Sequence, residues 1–150
     1  MNSGPYSYTT DIEWGGRRRG YLHTDGCPNL TLSTPPEFRG EAGFWTPEHL
    51  FVAAAESCLM ATFVGIAENS RLAVASYRST ARGRLEWGES SGWTFREITI
   101  APVIELEKPE DQPLAERVLA KAEKGCLIAR SMTAVIRVEP QFTTKAVLAA

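Results

Sequence analysis

The sequence predicts an α+β fold in a single domain spanning 1–150, with a mainly antiparallel sheet and a long buried central helix. Three observations lead there. The stretch 46–69, TPEHLFVAAAESCLMATFVGIAEN, is apolar almost all the way round at helical length. Two long alternating segments, VASYRSTARGRLEW and GWTFREITIAPVIELE, flank the turn-forming GESSG and read as a hairpin. A shorter amphipathic helical pattern then precedes one more strand.

Taken in order, Tyr6–Trp14 and Arg19–His23 read as short strands around WGGRRRG, where Gly15 and Gly16 permit unusual backbone angles. LTLST (30–34) is a third strand, ended by Pro35-Pro36. The loop PEFRGEAGFW leads into the long helix. There Thr46 is suited to the N-cap, Pro47 to the first helical position, and Glu48 to the positive end of the helix dipole. After the hairpin a second helix starts at Asp111 or Gln112, with Pro113 in its first turn. Leu114, Val118, Leu119 and Ala122 form its apolar stripe, and Gly125 ends or bends it. TAVIRVEP closes the sheet with Ala134, Ile136 and Val138 on one face. A helix apolar on every side needs more cover than one modest sheet provides, so a second subunit is expected to supply it.

Composition removes several classes. The chain is 43% hydrophobic and 23% charged, with a formal net charge of −2, which suits a soluble globular protein and no nucleic-acid partner. Arg17-Arg18-Arg19 is too short a basic run to change that. The N-terminal MNSGPYSYTTDIEW lacks the pattern of a secretory leader. Glu56, Ser57 and Thr62 interrupt the apolar run from Leu50 to Ala67, favouring a buried helix over a membrane span. Cys27, Cys58 and Cys126, odd in number and widely spread, are no disulfide framework; reduced thiols and a cytoplasmic location are expected. His23 and Cys27 lack a second ligand pair for zinc, and no Gly-rich phosphate loop follows a strand, so no metal and no cofactor is expected.

Cys58 raises the chemical question. Taken alone it reads as a small buried hydrophobe. A reactive cysteine must be a thiolate, and burial disfavours one. The start of its own helix is about three turns away, so a nearby cation is required, and a buried cation requires a carboxylate in turn.

GGR (15–17), DG (25–26), LSTP (32–35), PEHLFVAA (47–54), Cys58 and AEKGCLIARS (122–131) occur in the order and at the spacing of the OsmC/Ohr family. The chain resembles these osmotically inducible and organic-hydroperoxide-resistance proteins over nearly its whole length. The resemblance implies an intertwined homodimer acting as a cysteine-based peroxidase on organic hydroperoxides, with a dithiol reductant, lipoyl-type being one option. It implies Cys58 as the peroxidatic cysteine and Cys126 as the resolving one. Arg17 takes the place of the arginine that lowers the thiol pKa, and Glu48 that of the carboxylate orienting it. Leu127-Ile128-Ala129 departs from the Ohr branch, where a proline-containing run follows the second cysteine, and is closer to an OsmC-like branch. Glu48 and Cys58 lie about 15 Å apart along one helix at ~1.5 Å per residue, so sites at or near a dimer interface are expected, with Glu48 of one chain nearer Cys58 of the other.

Each assignment has an ordinary counterpart. Cys126, beside Gly125, also reads as a packing residue, Glu48 as a plain helix-start carboxylate, and Cys27 as an incidental surface thiol. Arg18 or Arg19 takes the place of Arg17 if the turn shifts by one residue. Glu56 reads as exposed, interfacial or paired with an arginine. The competing class is a non-catalytic module that holds a small ligand in an apolar cleft beside a vestigial thiol.

Overall fold

The computed structural model describes residues 4–145; residues 1–3 and 146–150, the two ends of the span read as one domain, lie outside it. Within it the chain forms two compact units, parted between Leu50 and Phe51.

The first unit carries a three-stranded antiparallel sheet of β1 (Asp11–Trp14), β2 (Arg19–His23) and β3 (Leu30–Ser33). Tyr6–Thr10, read as part of the first strand, forms no strand. The β1–β2 turn closes through Gly15 N–H donating to the Arg19 carbonyl at 3.0 Å and Arg19 N–H donating to that of Gly16 at 3.0 Å. Both Gly16 and Arg17 adopt positive φ, 85° and 49°, so the glycine cluster sets this turn as its sequence requires. The loop after β3 folds back on itself, with Gly40 N–H donating to Pro35 O at 2.9 Å. A Cβ on Gly40 would fall 1.4 Å from Thr34 O, so only glycine fits there. Ser33 N–H then donates to Trp45 O at 2.8 Å, placing the loop's end beside β3.

Helix α1 (Pro47–Asn69) starts where its sequence says it should. Thr46 Oγ1 accepts the His49 N–H at 3.2 Å and the Thr46 carbonyl accepts that of Leu50 at 3.0 Å, the signature of an N-cap. His49 Nδ1 lies 3.0 Å from the same hydroxyl, in the place a capping-box glutamate would take.

In the second unit, β4 (Val74–Gly88) and β5 (Gly92–Leu106) form the long antiparallel hairpin. Its loop is Glu89-Ser90-Ser91, with Gly92 at φ 66°, the left-handed position a three-residue hairpin loop needs. Helix α2 (Gln112–Gly125) follows, then the four-residue α3 (Leu127–Arg130), β6 (Val135–Val138) and β7 (Gln141–Thr144). Both β6 and β7 run parallel to β5, β6 along its middle (Glu97–Ile100) and β7 along its end (Val103–Leu106). The sheet is therefore mixed, because α2 and α3 form a crossover long enough to bring the chain back in the same direction. Glu139 N–H still donates to Ile100 O at 2.9 Å. Pro140, which has no N–H, marks the break between the two short strands.

The core of this unit is built from the inward face of β5 (Ile98, Ile100, Ile104, Leu106), the predicted stripe of α2 (Val118, Leu119 and Ala122, with Ala115), and one stripe of α1. That stripe is Ala55, Leu59, Phe63 and Ala67, spaced four apart. The rest of α1 is less covered than its composition suggests: Phe51, Met60 and Val64 are 36%, 42% and 38% exposed. By length and composition alone it is also a helix able to cross a bilayer. Glu56, read as exposed, interfacial or arginine-paired, is instead half-buried and accepts the Ser79 hydroxyl of β4 at 2.5 Å, tying helix to sheet.

Gly83 lets α1 lie close to β4. A Cβ there would stand 2.5 Å from Val52 Cγ2 and 2.7 Å from the Phe95 ring, itself stacked on Phe51 with centroids 4.9 Å apart. Gly83→Ala is expected to cost about 1–3 kcal/mol by overpacking. Urea denaturation should show this as a lower midpoint at unchanged slope; an unchanged midpoint would mean that Val52 yields freely.

Candidate functional site

The site forms where α2 ends. Gly125 is the last residue of α2, and a Cβ on it would lie 3.5 Å from Thr62 Cγ2, so the helix finishes against α1 one turn beyond Cys58. Cys126 is extended (φ −65°, ψ 102°), its N–H donating to Ala122 O at 2.9 Å and its carbonyl accepting Arg130 N–H at 3.1 Å. It thus closes α2 and opens α3 at once. The first N–H groups of any helix lack partners within it. Here they act on sulfur: those of Leu127 and Ile128 lower the Cys58 pKa, and those of Ile128 and Ala129 act in the same sense on Cys126.

The two thiols lie close enough for each to shift the other's titration. Cys58 is half-buried and Cys126 is 1% exposed. Burial pushes the Cys58 thiol up, but the Cys126 S–H, the Ile128 N–H, the Thr62 hydroxyl and the Leu127 N–H together outweigh it and bring the pKa below the ordinary value. Thr62 Oγ1 lies 4.0 Å from Cys58 Sγ and donates to the Cys58 carbonyl at 2.8 Å. For Cys126, burial comes first, and the Cys58 hydrogen bond and charge add to it, so its pKa rises. The pair as a whole therefore gives up its first proton more readily than its second.

Donors other than a cation thus act on a thiol three turns into α1: the Cys126 S–H, the Thr62 hydroxyl and the first N–H groups of α3, a helix from elsewhere in the chain that reaches the sulfur the start of α1 cannot.

The remaining expected residues lie in the first unit. Arg17 is exposed in the β1–β2 turn, where its carbonyl accepts the Trp14 indole N–H at 3.0 Å. Glu48 is in the first turn of α1, with Oε2 shielded from solvent and without a hydrogen bond among the described residues. Arg17 and Glu48 form no ion pair with each other among the described residues. Among the described residues of this unit, an arginine–carboxylate pair forms between Arg19 and Glu41, at 2.9 and 2.6 Å, with the guanidinium 4.8 Å from the Phe44 ring centroid. The Arg19 hydrogen bond is the main influence holding the Glu41 carboxyl below its usual value, and Arg17 adds to it from farther off. Sequence reasoning missed Glu41 because a carboxylate in a loop carries no periodic or motif signal; the neighbouring arginine run was the only hint. Cys27 is exposed, as read. Among the described residues no group of three or more His, Cys, Asp or Glu is placed to hold a metal ion.

Known proteins agree with this arrangement at the level of fold. An OsmC-like protein of unknown function from Vibrio cholerae superimposes with a TM-score of 0.82 at 24% identity, covering 91% of this chain and 99% of that one. An organic hydroperoxide resistance protein OsmC from Legionella pneumophila does so with a TM-score of 0.70 at 23% identity, over 94% and 99% of the two chains. In sequence, the uncharacterized protein YmaD of Bacillus subtilis strain 168 is 24% identical over 137 residues, 88% of this chain and 90% of its own. The family model described as OsmC-like protein matches residues 40–141, which include both Cys58 and Cys126, and the chain belongs to that family.

Proposed function

We propose that the protein is a cysteine-based peroxidase that reduces organic hydroperoxides to alcohols at the expense of a dithiol. The observation that carries this reading is the pairing of Cys58 with Cys126 under the N–H groups of α3. One thiol is favoured as a thiolate nucleophile and the other is held protonated beside it.

The Cys58 thiolate attacks the terminal oxygen of the hydroperoxide. The O–O bond breaks, Cys58 becomes a sulfenic acid, and the alkoxide leaves and takes up a proton. Cys126 then attacks the sulfenic sulfur, a disulfide forms, and water departs with the Cys126 proton. A dithiol restores both thiols and leaves as its own disulfide. In this scheme Arg17 stabilises the Cys58 thiolate and the departing alkoxide, and Glu48, which forms no ion pair with it within the described residues, would hold it once the site is assembled. The shielded, unpaired oxygen of Glu48 supports its part, since a carboxylate in that state favours a cationic partner. Names of similar proteins that include organic hydroperoxide resistance support the substrate class.

The test is consumption of cumene hydroperoxide and of hydrogen peroxide with dithiothreitol as reductant. Faster turnover of the organic peroxide is expected. Absence of turnover with both, alongside a stable reduced Cys58, would favour the ligand-binding alternative.

The working form in this proposal is a homodimer. Phe51, Met60 and Val64 leave one side of α1 apolar and open, and Ile12 and Trp14 of β1 are 61% and 80% exposed; a second copy would cover such surface. Light scattering at micromolar concentration is expected to give the mass of two chains. A stable monomer would remove both the dimer and the two-chain site.

A further inference from the structure

A cavity of about 210 Å³ lies within the second unit, lined by Ala55 and Leu59 of α1, Ile100 of β5, Ile136 and Val138 of β6, and Cys126. Cys58 is not among its lining residues. Glu123 and Lys124 of α2 also line it and are exposed, while Ala55, Leu59, Ile100 and Cys126 are buried. Its size is below the ~300–1,000 Å³ of drug-sized ligand pockets, suited to a short aliphatic molecule.

We propose that this cavity is the access route of the reductant: a small aliphatic dithiol enters it and attacks the Cys126 sulfur of the Cys58–Cys126 disulfide. The inference rests on the thiol-peroxidase reading and adds to it which sulfur is attacked and from which side. A molecule in the cavity meets Cys126. The chemistry agrees with the geometry, because thiol–disulfide exchange runs faster when the displaced sulfur is the better leaving group. Cys58, under the N–H groups of α3, is that sulfur.

The electrons balance in two displacements. The dithiol's first sulfur, as a thiolate, bonds to Cys126 Sγ while the S–S bond breaks and its electron pair leaves on Cys58. The dithiol's second sulfur, having lost its proton to solvent, then closes the reductant's own disulfide, and Cys126 departs and takes up a proton. The peroxide meets Cys58 from outside the cavity, so the two substrates use different sides of the same sulfur pair.

The experiment uses Cys27→Ser protein, oxidised in one arm with cumene hydroperoxide and in the other with diamide. Each product is treated with mercaptoethanol in the presence of iodoacetamide and mapped by peptide mass. The expected result is the mercaptoethanol adduct on Cys126 and the alkyl group on Cys58. The reverse assignment overturns the proposal, as does failure of both oxidants to join the two cysteines. A disulfide from diamide but not from the hydroperoxide would reject the peroxidase reading while still allowing the cavity to be judged by its adduct. As a second measurement, Val138→Phe, which fills the cavity, is expected to slow reduction of the disulfide by dithiothreitol about tenfold, since exchange rates depend on access to the attacked sulfur. An unchanged rate in a folded variant overturns the proposal; should the variant not fold, the adduct map decides.

Discussion

Cys58→Ser is expected to abolish hydroperoxide consumption, by about 10³-fold or more, the scale on which loss of a nucleophile acts. A serine hydroxyl is not ionised near neutral pH and cannot form a sulfenic acid, so neither the N–H groups of α3 nor a guanidinium can compensate. Cys126→Ser should behave differently. The first oxidation still occurs, because the nucleophile and the Ile128 and Leu127 N–H groups remain. The sulfenic acid has no internal thiol to capture it, so Cys58 accumulates one added oxygen and turnover with dithiol falls. Intact-protein mass after one equivalent of cumene hydroperoxide separates the two variants. Cys58→Ser should gain no oxygen at residue 58 and Cys126→Ser should gain one at Cys58. If Cys126→Ser turns over like the wild type, Cys126 is a packing residue and its position beside Cys58 is incidental.

The parts of the fold legible in the sequence are those with local signals. Thr46-Pro47-Glu48 announces the start of α1, and the capping bonds to His49 and Leu50 follow from it. The hairpin was readable because β-period alternation holds over most of both strands either side of a Gly/Ser turn, despite register shifts at Val74/Ser76 and Arg84/Leu85. Strand direction was not: the alternation of Val135–Val138 is the same whether it lies parallel or antiparallel to β5, and only the length of the crossover decides. Nor was α3, since four residues hold barely one turn and show no period. The exposure of Phe51, Met60 and Val64 shows the same limit from another side, because an apolar sequence states what should be covered but not by what.

The candidate site divides in the same way. Cys58 and Cys126 were named through family resemblance, because nothing local pairs two cysteines so far apart. Two of the donors that act on Cys58, the Ile128 and Leu127 N–H groups, are backbone groups, which have no residue signature at all. Glu56 was left open because its partner, Ser79, lies on a strand whose register with α1 only the fold determines.

Those backbone donors lead to the last prediction. Leu127→Pro is expected to raise the Cys58 pKa, because it removes one of the N–H donors that hold it down. Proline suits this position for three reasons. Leu127 is the first residue of α3, where a helix does not use the N–H. Cys126 before it is already extended at ψ 102°, as a residue preceding proline prefers. The Leu127 side chain is 66% exposed, so little packing is lost. The substitution therefore removes one N–H donor to sulfur and little else. A thiolate held by fewer donors forms at higher pH, so the curve of Cys58 alkylation against pH should move upward, and the rate at neutral pH should fall. Arg17→Ala is the companion variant, expected to move the curve in the same direction if the guanidinium also faces the thiolate, and to slow peroxide reduction by weakening support for the leaving alkoxide. Lysine at position 17 should restore only part, lacking the planar fork that a carboxylate can hold. A curve unchanged by Leu127→Pro but shifted by Arg17→Ala would return activation of Cys58 to the arginine alone.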